Sequence, residues 1–159
     1  MTPNTGTIEA RLAALGLTLP PAPAPVANYV PTVQAGALLF VSGQISRTGD
    51  GRVIAGKLGD GMDIAAGRDA ARVCALNILS QAKAALGSLE RIRRIVKLTG
   101  FVNAAPSFID HPSVVNGCSD VLVEVLGDKG RHTRSAVGVA GLPLDAAVEV
   151  EAIIEVDGT

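Results

Sequence analysis

Apolar residues along this chain recur with one of two periods. Between Asp63 and Leu86 they fall three and four residues apart, at Ile64, Ala71, Ala75, Ile78, Ala82 and Ala85, and Leu79 and Leu86 widen the stripe. That spacing lines one face of a helix, and Gly87 is placed to end it. A second helix is predicted from Asp110-His111-Pro112, where proline sits in a tolerated first turn. Val115, Cys118, Leu122 and Val125 mark its buried side, and Gly127 stops it. A shorter stripe at Ile8, Leu12 and Leu15 predicts a helix over Thr7–Leu15, capped by Thr5 or Thr7 and ended by Gly16. Pro20, Pro21, Pro23 and Pro25 follow as a stiff, extended connector. This helix is therefore expected to dock on the domain or on a neighbouring subunit.

Elsewhere the period is two. Tyr29–Gln34 and Leu38–Ser42, around Ala35-Gly36, predict a β-hairpin that Ser42-Gly43-Gln44 brings to an end. A polar turn at 47–51 leads to a third short strand at Arg52–Ala55. Within Arg91–Asn103, Val96, Leu98 and Val102 oppose Lys97, Thr99 and Phe101. The stretch from Thr133 to Val156 predicts two more strands joined by a proline-marked turn. In the last strand Val148, Val150, Ala152, Ile154 and Val156 share one face, while Glu149, Glu151, Ile153 and Glu155 share the other. In the strand before it, Ser135, Val137 and Val139 oppose Arg134, Ala136 and Gly138. With both valine-bearing faces on the core, Arg134 and Glu149 are expected on the same outer face.

After the N-terminal helix the order is β-β-β-α-β-α-β-β, an α+β pattern with two helices on one face of a mixed sheet. Residues 1–26 form the helix and connector, and residues 27–159 the domain proper. A mixed polar and apolar outer face predicts that copies of the chain associate.

At 159 residues the chain fits one domain, and 48% apolar residues with 3% aromatics give a core of small aliphatic side chains. A net charge of −1 provides no broad footprint for nucleic acid, and the basic run at 91–94 reads as solvated. Cys74 and Cys118 fall in apolar helical patterns as buried free thiols. The chain lacks a signal-like leader and any apolar run of membrane-spanning length, so a cytoplasmic, non-membrane protein is expected. Gly51 to Lys57 fits GxxxxGK, but Leu58 stands where a phosphate-binding loop needs Ser or Thr for magnesium. His111 and His132 have no metal-ligand spacing with the cysteines, so no metal or other cofactor is expected.

The candidate chemistry centres on Arg134 and Glu149. A guanidinium fork suits a carboxylate, and a nearby glutamate could hold or activate a water. Residue types alone favour a structural ion pair, of the two with each other or with a neighbouring chain, over a ligand site. Tyr29 reads as a packing residue, Ser42 has no adjacent base, and Asn116 lies on the exposed side of its helix.

Arg134-Ser135, Leu142-Pro143 and Val148-Glu149-Val150-Glu151, with Tyr29, Ser42-Gly43-Gln44 and Val115-Asn116, resemble the Rid family, also called YjgF and labelled endoribonuclease L-PSP. The resemblance runs from about Ala27 to Val156. It implies a chorismate-mutase-like α+β fold and a homotrimer with ligand clefts between subunits. It also implies hydrolysis of reactive 2-imino or 2-enamino acids to 2-oxo acids and ammonia, without metal or organic cofactor. By that resemblance Arg134 grips the substrate carboxylate and Glu149 positions the water. Tyr29, Ser42, Gly43, Asn116 and Ala136 match pocket-lining positions, some of them from the adjacent subunit. Thr133 stands where the family commonly has Ala or Pro, and Ala136 where its deaminase group often has Cys. The alternatives are a non-catalytic trimer that binds a small carboxylate and, further off, a ribonuclease.

Overall fold

A computed structural model describes residues 6–24 and 27–158. Helix α1 spans Ile8–Ala14, and the Thr7 hydroxyl caps it by accepting from the Ala10 amide at 3.1 Å. Strands β1 (Thr32–Ala35) and β2 (Leu38–Ile45) form the predicted hairpin. The short β3 (Lys57–Leu58) and β4 (Gly61–Met62) pair with each other. Helix α2 (Ile64–Leu86), capped by Asp63 and closed by left-handed Gly87, precedes β5 (Ile92–Asn103). Helix α3 (His111–Leu126), β6 (Thr133–Val139) and β7 (Val148–Val156) complete the chain.

Five strands make one mixed sheet in the order β1-β2-β7-β5-β6. The two long helices pack on each other and cover one of its faces, as the periodicity predicted. Their buried sides meet Leu39, Val41, Ile95, Leu98, Val102, Val150 and Ile154 in a continuous core. Two glycines set the spacing. A Cβ on Gly117 would collide with the Arg68 carbonyl, and one on Gly100 would overlap Val115, so α3 lies unusually close to both α2 and the sheet. Helix α1 packs on the chain's own core, where Ile8 and Leu12 are almost fully buried. Each such side chain contributes about 1.5–3 kcal/mol. Among the described residues no helix is long and apolar enough to cross a membrane, and none of their His, Cys, Asp and Glu side chains form a metal-ligating cluster.

Several expectations change. Arg52–Ala55 is not a strand; it makes isolated bridges through Val53 to Arg47 and through Ala55 to Ala146. Register shifts in β5 put Ile95 rather than Val96 into the core beside Leu98 and Val102. The largest correction concerns the last two strands, which do not form a hairpin. Helix α3 carries the chain from β5 across to a parallel neighbour, so β6 pairs with β5. Strand β7 inserts on the other side of β5, antiparallel to both β2 and β5.

This pairing also reverses the inferred face of β6. Leu98, Gly100 and Val102 of β5 point at the helices, and their partners are Arg134, Ala136 and Gly138. Val137 is instead 42% exposed, on the open face. Glu149 is the partner of Phe101, on that open face. Arg134 and Glu149 therefore lie on opposite faces of the sheet, because the small residues of β6, rather than its valines, fit beneath the closely packed α3.

Candidate functional site

On the helix-covered side, Asn116 and Ser119 are three residues apart on α3 and so share a face, which here overlies β6. Arg134 Nη1 donates to Asn116 Oδ1 at 2.8 Å and to Ser119 Oγ at 3.2 Å. Ser119 Oγ is 2.9 Å from His132 Nε2, and His132 Nδ1 is 2.6 Å from the Gly130 carbonyl. A carbonyl only accepts, so Nδ1 carries the proton and Nε2 accepts from the Ser119 hydroxyl. Burial lowers the His132 pKa, the Gly130 bond opposes this, and the Arg134 charge adds a smaller lowering. The ring is thus held neutral.

Arg134 is consequently oriented by neutral acceptors only. No carboxylate among the described residues forms an ion pair with it, which overturns an Arg134–Glu149 ion pair within one chain. Its charge and its remaining N–H donors stay available at the edge of the sheet. Ala136, half-buried, lies two residues further along the same face. Beneath them Cys118 is fully buried, which pushes its thiol pKa up to about 12 and makes it unreactive.

The other group gathers around β2. The β2–β7 register passes from Val41↔Ala152 to Gln44↔Val150, a bulge that inserts one residue at Ser42-Gly43. The bulge matters because a Cβ on Gly43 would collide with the Glu149 carboxylate; only glycine lets that side chain lie against the backbone. Glu149 is half-buried, and burial raises its pKa, with the Glu151 charge adding to the rise. Ser42 Oγ donates to the Val30 carbonyl at 2.9 Å and ties down the segment entering β1. Tyr29, 58% exposed, stands at the rim. Tyr29, Ser42 and Gly43 line a cleft of about 380 Å³ along the C-terminal half of β2, past its pairing with β1. Its other walls are the proline connector at 20–24, the turn at 47–51, and Asn77 and Gln81 of α2.

The seven residues singled out from the sequence thus form two groups. Tyr29, Ser42, Gly43 and Glu149 gather at one end, and Asn116, Arg134 and Ala136 at the other. With β5 between β7 and β6, the groups are separated by two strand spacings, roughly 10 Å, and by the thickness of the sheet. Sequence reasoning missed Ser119 and His132. Ser119 could have been found from its helical spacing to Asn116, whereas His132 read as a loop residue. Arg47, Asn77 and Gln81 in the cleft carried no sequence signal.

Comparison with known proteins agrees with this architecture. The sequence model of the YjgF/chorismate mutase-like endoribonuclease family matches residues 9–156. The protein TCP17 of Trypanosoma cruzi is 48% identical over 154 residues, 96% of each chain. A 2-iminobutanoate/2-iminopropanoate deaminase of Dermatophagoides farinae is 30% identical over 144 residues, covering 89% of this chain and 95% of its own. Among solved structures, a protein of unknown function from Agrobacterium tumefaciens is similar with a TM-score of 0.88 and 48% identity, covering 95% of this chain and 94% of its own.

Proposed function

The chain belongs to the YjgF/chorismate mutase-like family, and from that footing we propose that it hydrolyses 2-imino or 2-enamino acids to 2-oxo acids and ammonia, as a homotrimer. The observation that carries this reading is the unpaired Arg134 guanidinium, held in place by Asn116 and Ser119 without any neutralising acid. A cation oriented by neutral groups keeps its full attraction for a substrate carboxylate. The relative from Dermatophagoides farinae that bears the name of an iminobutanoate deaminase gives further support.

The proposed chemistry is modest in its demands, because the imine carbon is already electrophilic. Arg134 binds the carboxylate and fixes the direction of approach. Glu149, made more basic by burial and by the Glu151 charge, accepts a proton from the attacking water. The water oxygen bonds to the imine carbon and the nitrogen takes up a proton. Collapse of the resulting carbinolamine expels ammonia and leaves the 2-oxo acid.

In a 2-imino acid the carboxylate and the imine carbon are adjacent atoms, so Arg134 and Glu149 of one chain cannot act on the same molecule across the sheet. Arg134 of one subunit would therefore act with Glu149, Tyr29, Ser42 and Gly43 of the next. Complementation is the test: mixed trimers of inactive Arg134→Ala and inactive Glu149→Gln chains should regain ammonia release from 2-iminobutanoate. If the mixture stays as inactive as its parents, or if the wild type is monomeric by light scattering at micromolar concentration, the reading fails. Binding of 2-oxobutanoate without any turnover across a panel of imines would favour the non-catalytic alternative, a small-carboxylate sensor.

A further inference from the structure

The cleft beside β2 contains more polar machinery than the proposed chemistry uses. Its single charged lining residue among those described is Arg47. Arg47 Nε is buried and has no acceptor, and its guanidinium takes part in no ion pair. The residues outside the description, 1–5, 25–26 and 159, contain no Asp or Glu that could supply a partner. Gln81 is 97% buried (3% exposed), lines the same cleft, and has no hydrogen bond from its amide. Leaving a partly desolvated guanidinium unpaired is costly, and an anionic ligand would remove that cost.

The surroundings are fixed in advance. Asn77 Nδ2 donates to the carbonyls of Ile45, at 3.1 Å, and of Arg47 itself, at 2.9 Å, pinning the backbone that carries the arginine. Ser80 donates its hydroxyl to the Pro20 carbonyl, which holds the proline connector against α2 as the opposite wall. That wall is proline and alanine, apolar and short of donors. A short aliphatic chain ending in a carboxylate satisfies every part: methylenes against the prolines, one oxygen pair on the Arg47 fork, and the Gln81 amide as a further donor.

We infer that Arg47 and Gln81 form an anion-binding subsite that takes the distal carboxylate of a dicarboxylic 2-imino or 2-oxo acid. Gly43, against which Glu149 lies, lines the same cleft. It is four positions from Arg47, at most about 14 Å of extended chain, and a diacid of four or five carbons fits within the cleft of about 380 Å³ that both line. The identity of the reacting end rests on the proposed deaminase reading, whereas the anion subsite does not.

The test uses three ligands on the full-length protein: 2-oxoglutarate, 2-oxobutanoate, and glutarate, which lacks the reacting group. Calorimetry should find 2-oxoglutarate bound about 10-fold more tightly than 2-oxobutanoate, a ratio that falls to about one in Arg47→Met. Gln81→Met, a substitution of similar shape, should lower the ratio by a smaller factor. Glutarate should raise the thermal midpoint of the wild type, raise that of Gln81→Met by less, and leave that of Arg47→Met unmoved. If 2-oxobutanoate does not bind but glutarate and 2-oxoglutarate still bind the wild type through Arg47, the deaminase reading fails and the subsite stands. If both oxo acids bind and Arg47→Met leaves their ratio intact, the subsite is disproved. Glutarate without effect on the wild type would also overturn it.

Discussion

Each end of the five-stranded sheet has an arginine, and the two are treated in opposite ways. Arg134, on the β6 edge, sits in a completed network: Asn116 and Ser119 accept from it, and His132 and Gly130 fix Ser119 in turn. Arg47, beyond the β2 edge, has a fixed backbone and a buried Nε with no acceptor. The first is a cation held by two acceptors, with donors to spare; the second has a buried donor without an acceptor. Neither is neutralised by an acid of the same chain. Structural arginines here behave otherwise: Arg91 bonds to Asp157 at 2.8 Å and Arg68 to Asp120 at 2.9 Å. Arg91 and Arg68 thus have an acidic partner that Arg134 and Arg47 lack among the described residues.

The comparison can be sharpened by substitutions that divide binding from water handling. The largest effect is expected at the β2 end of the sheet, where Glu149→Gln should lower imine turnover about 1000-fold. Binding of 2-oxobutanoate, measured by calorimetry, should survive because Arg134 remains. At the other edge, Arg134→Ala should cost about 100-fold in kcat/KM, the weight of charge-assisted bonds to a carboxylate. That loss should be visible in product binding as well as in turnover. An Arg134→Ala chain that bound 2-oxobutanoate normally would break the division between the two edges.

Smaller effects should follow from the groups that only orient Arg134. Asn116→Ala and Ser119→Ala should each raise KM about 5-fold, the weight of one net hydrogen bond, with kcat little altered. A fall in kcat alone in steady-state assays would assign these residues a different role.

The smallest effect concerns pH. The folded pKa of His132 is depressed below its ordinary 6.5, so the unfolded chain takes up a proton there more readily. Its contribution to stability is therefore complete above about pH 6.5 and is lost as pH falls through 6.5 towards the lower folded value. Wild-type protein should lose about 3 °C of thermal midpoint over that window beyond any loss in His132→Asn, as followed by scanning calorimetry. Equal slopes for the two proteins would remove His132 from the network that supports Arg134.

Much of the fold was legible because its signals are local. The stripes of α2 and α3, Thr7 as a cap, Gly87 as a stop, and the alternation of β7 all survive in the structure. Tyr29, Ser42 and Gly43 were brought together by resemblance, and they do share one cleft. The pairing of β6 was not legible. Two strands joined by a short turn read as a hairpin, yet the crossover through α3 had already placed β6 beside β5. Arg47 and Gln81 were invisible for a related reason: a lone arginine in a polar turn and a glutamine on a helix have no periodic signature.

The sequence by itself determined the long helices and strands, and which alternate side chains share a face within one strand. Those properties depend on backbone geometry over a few residues, so they are written locally. Only the tertiary structure decided which face of β6 turns inward. Gly100 and Gly117 draw α3 so close that Ala136 and Gly138, not Val137, fit beneath it. That choice carries Arg134 to the helix side, away from Glu149. It follows from packing between segments distant in the chain, which side-chain alternation in one strand cannot encode.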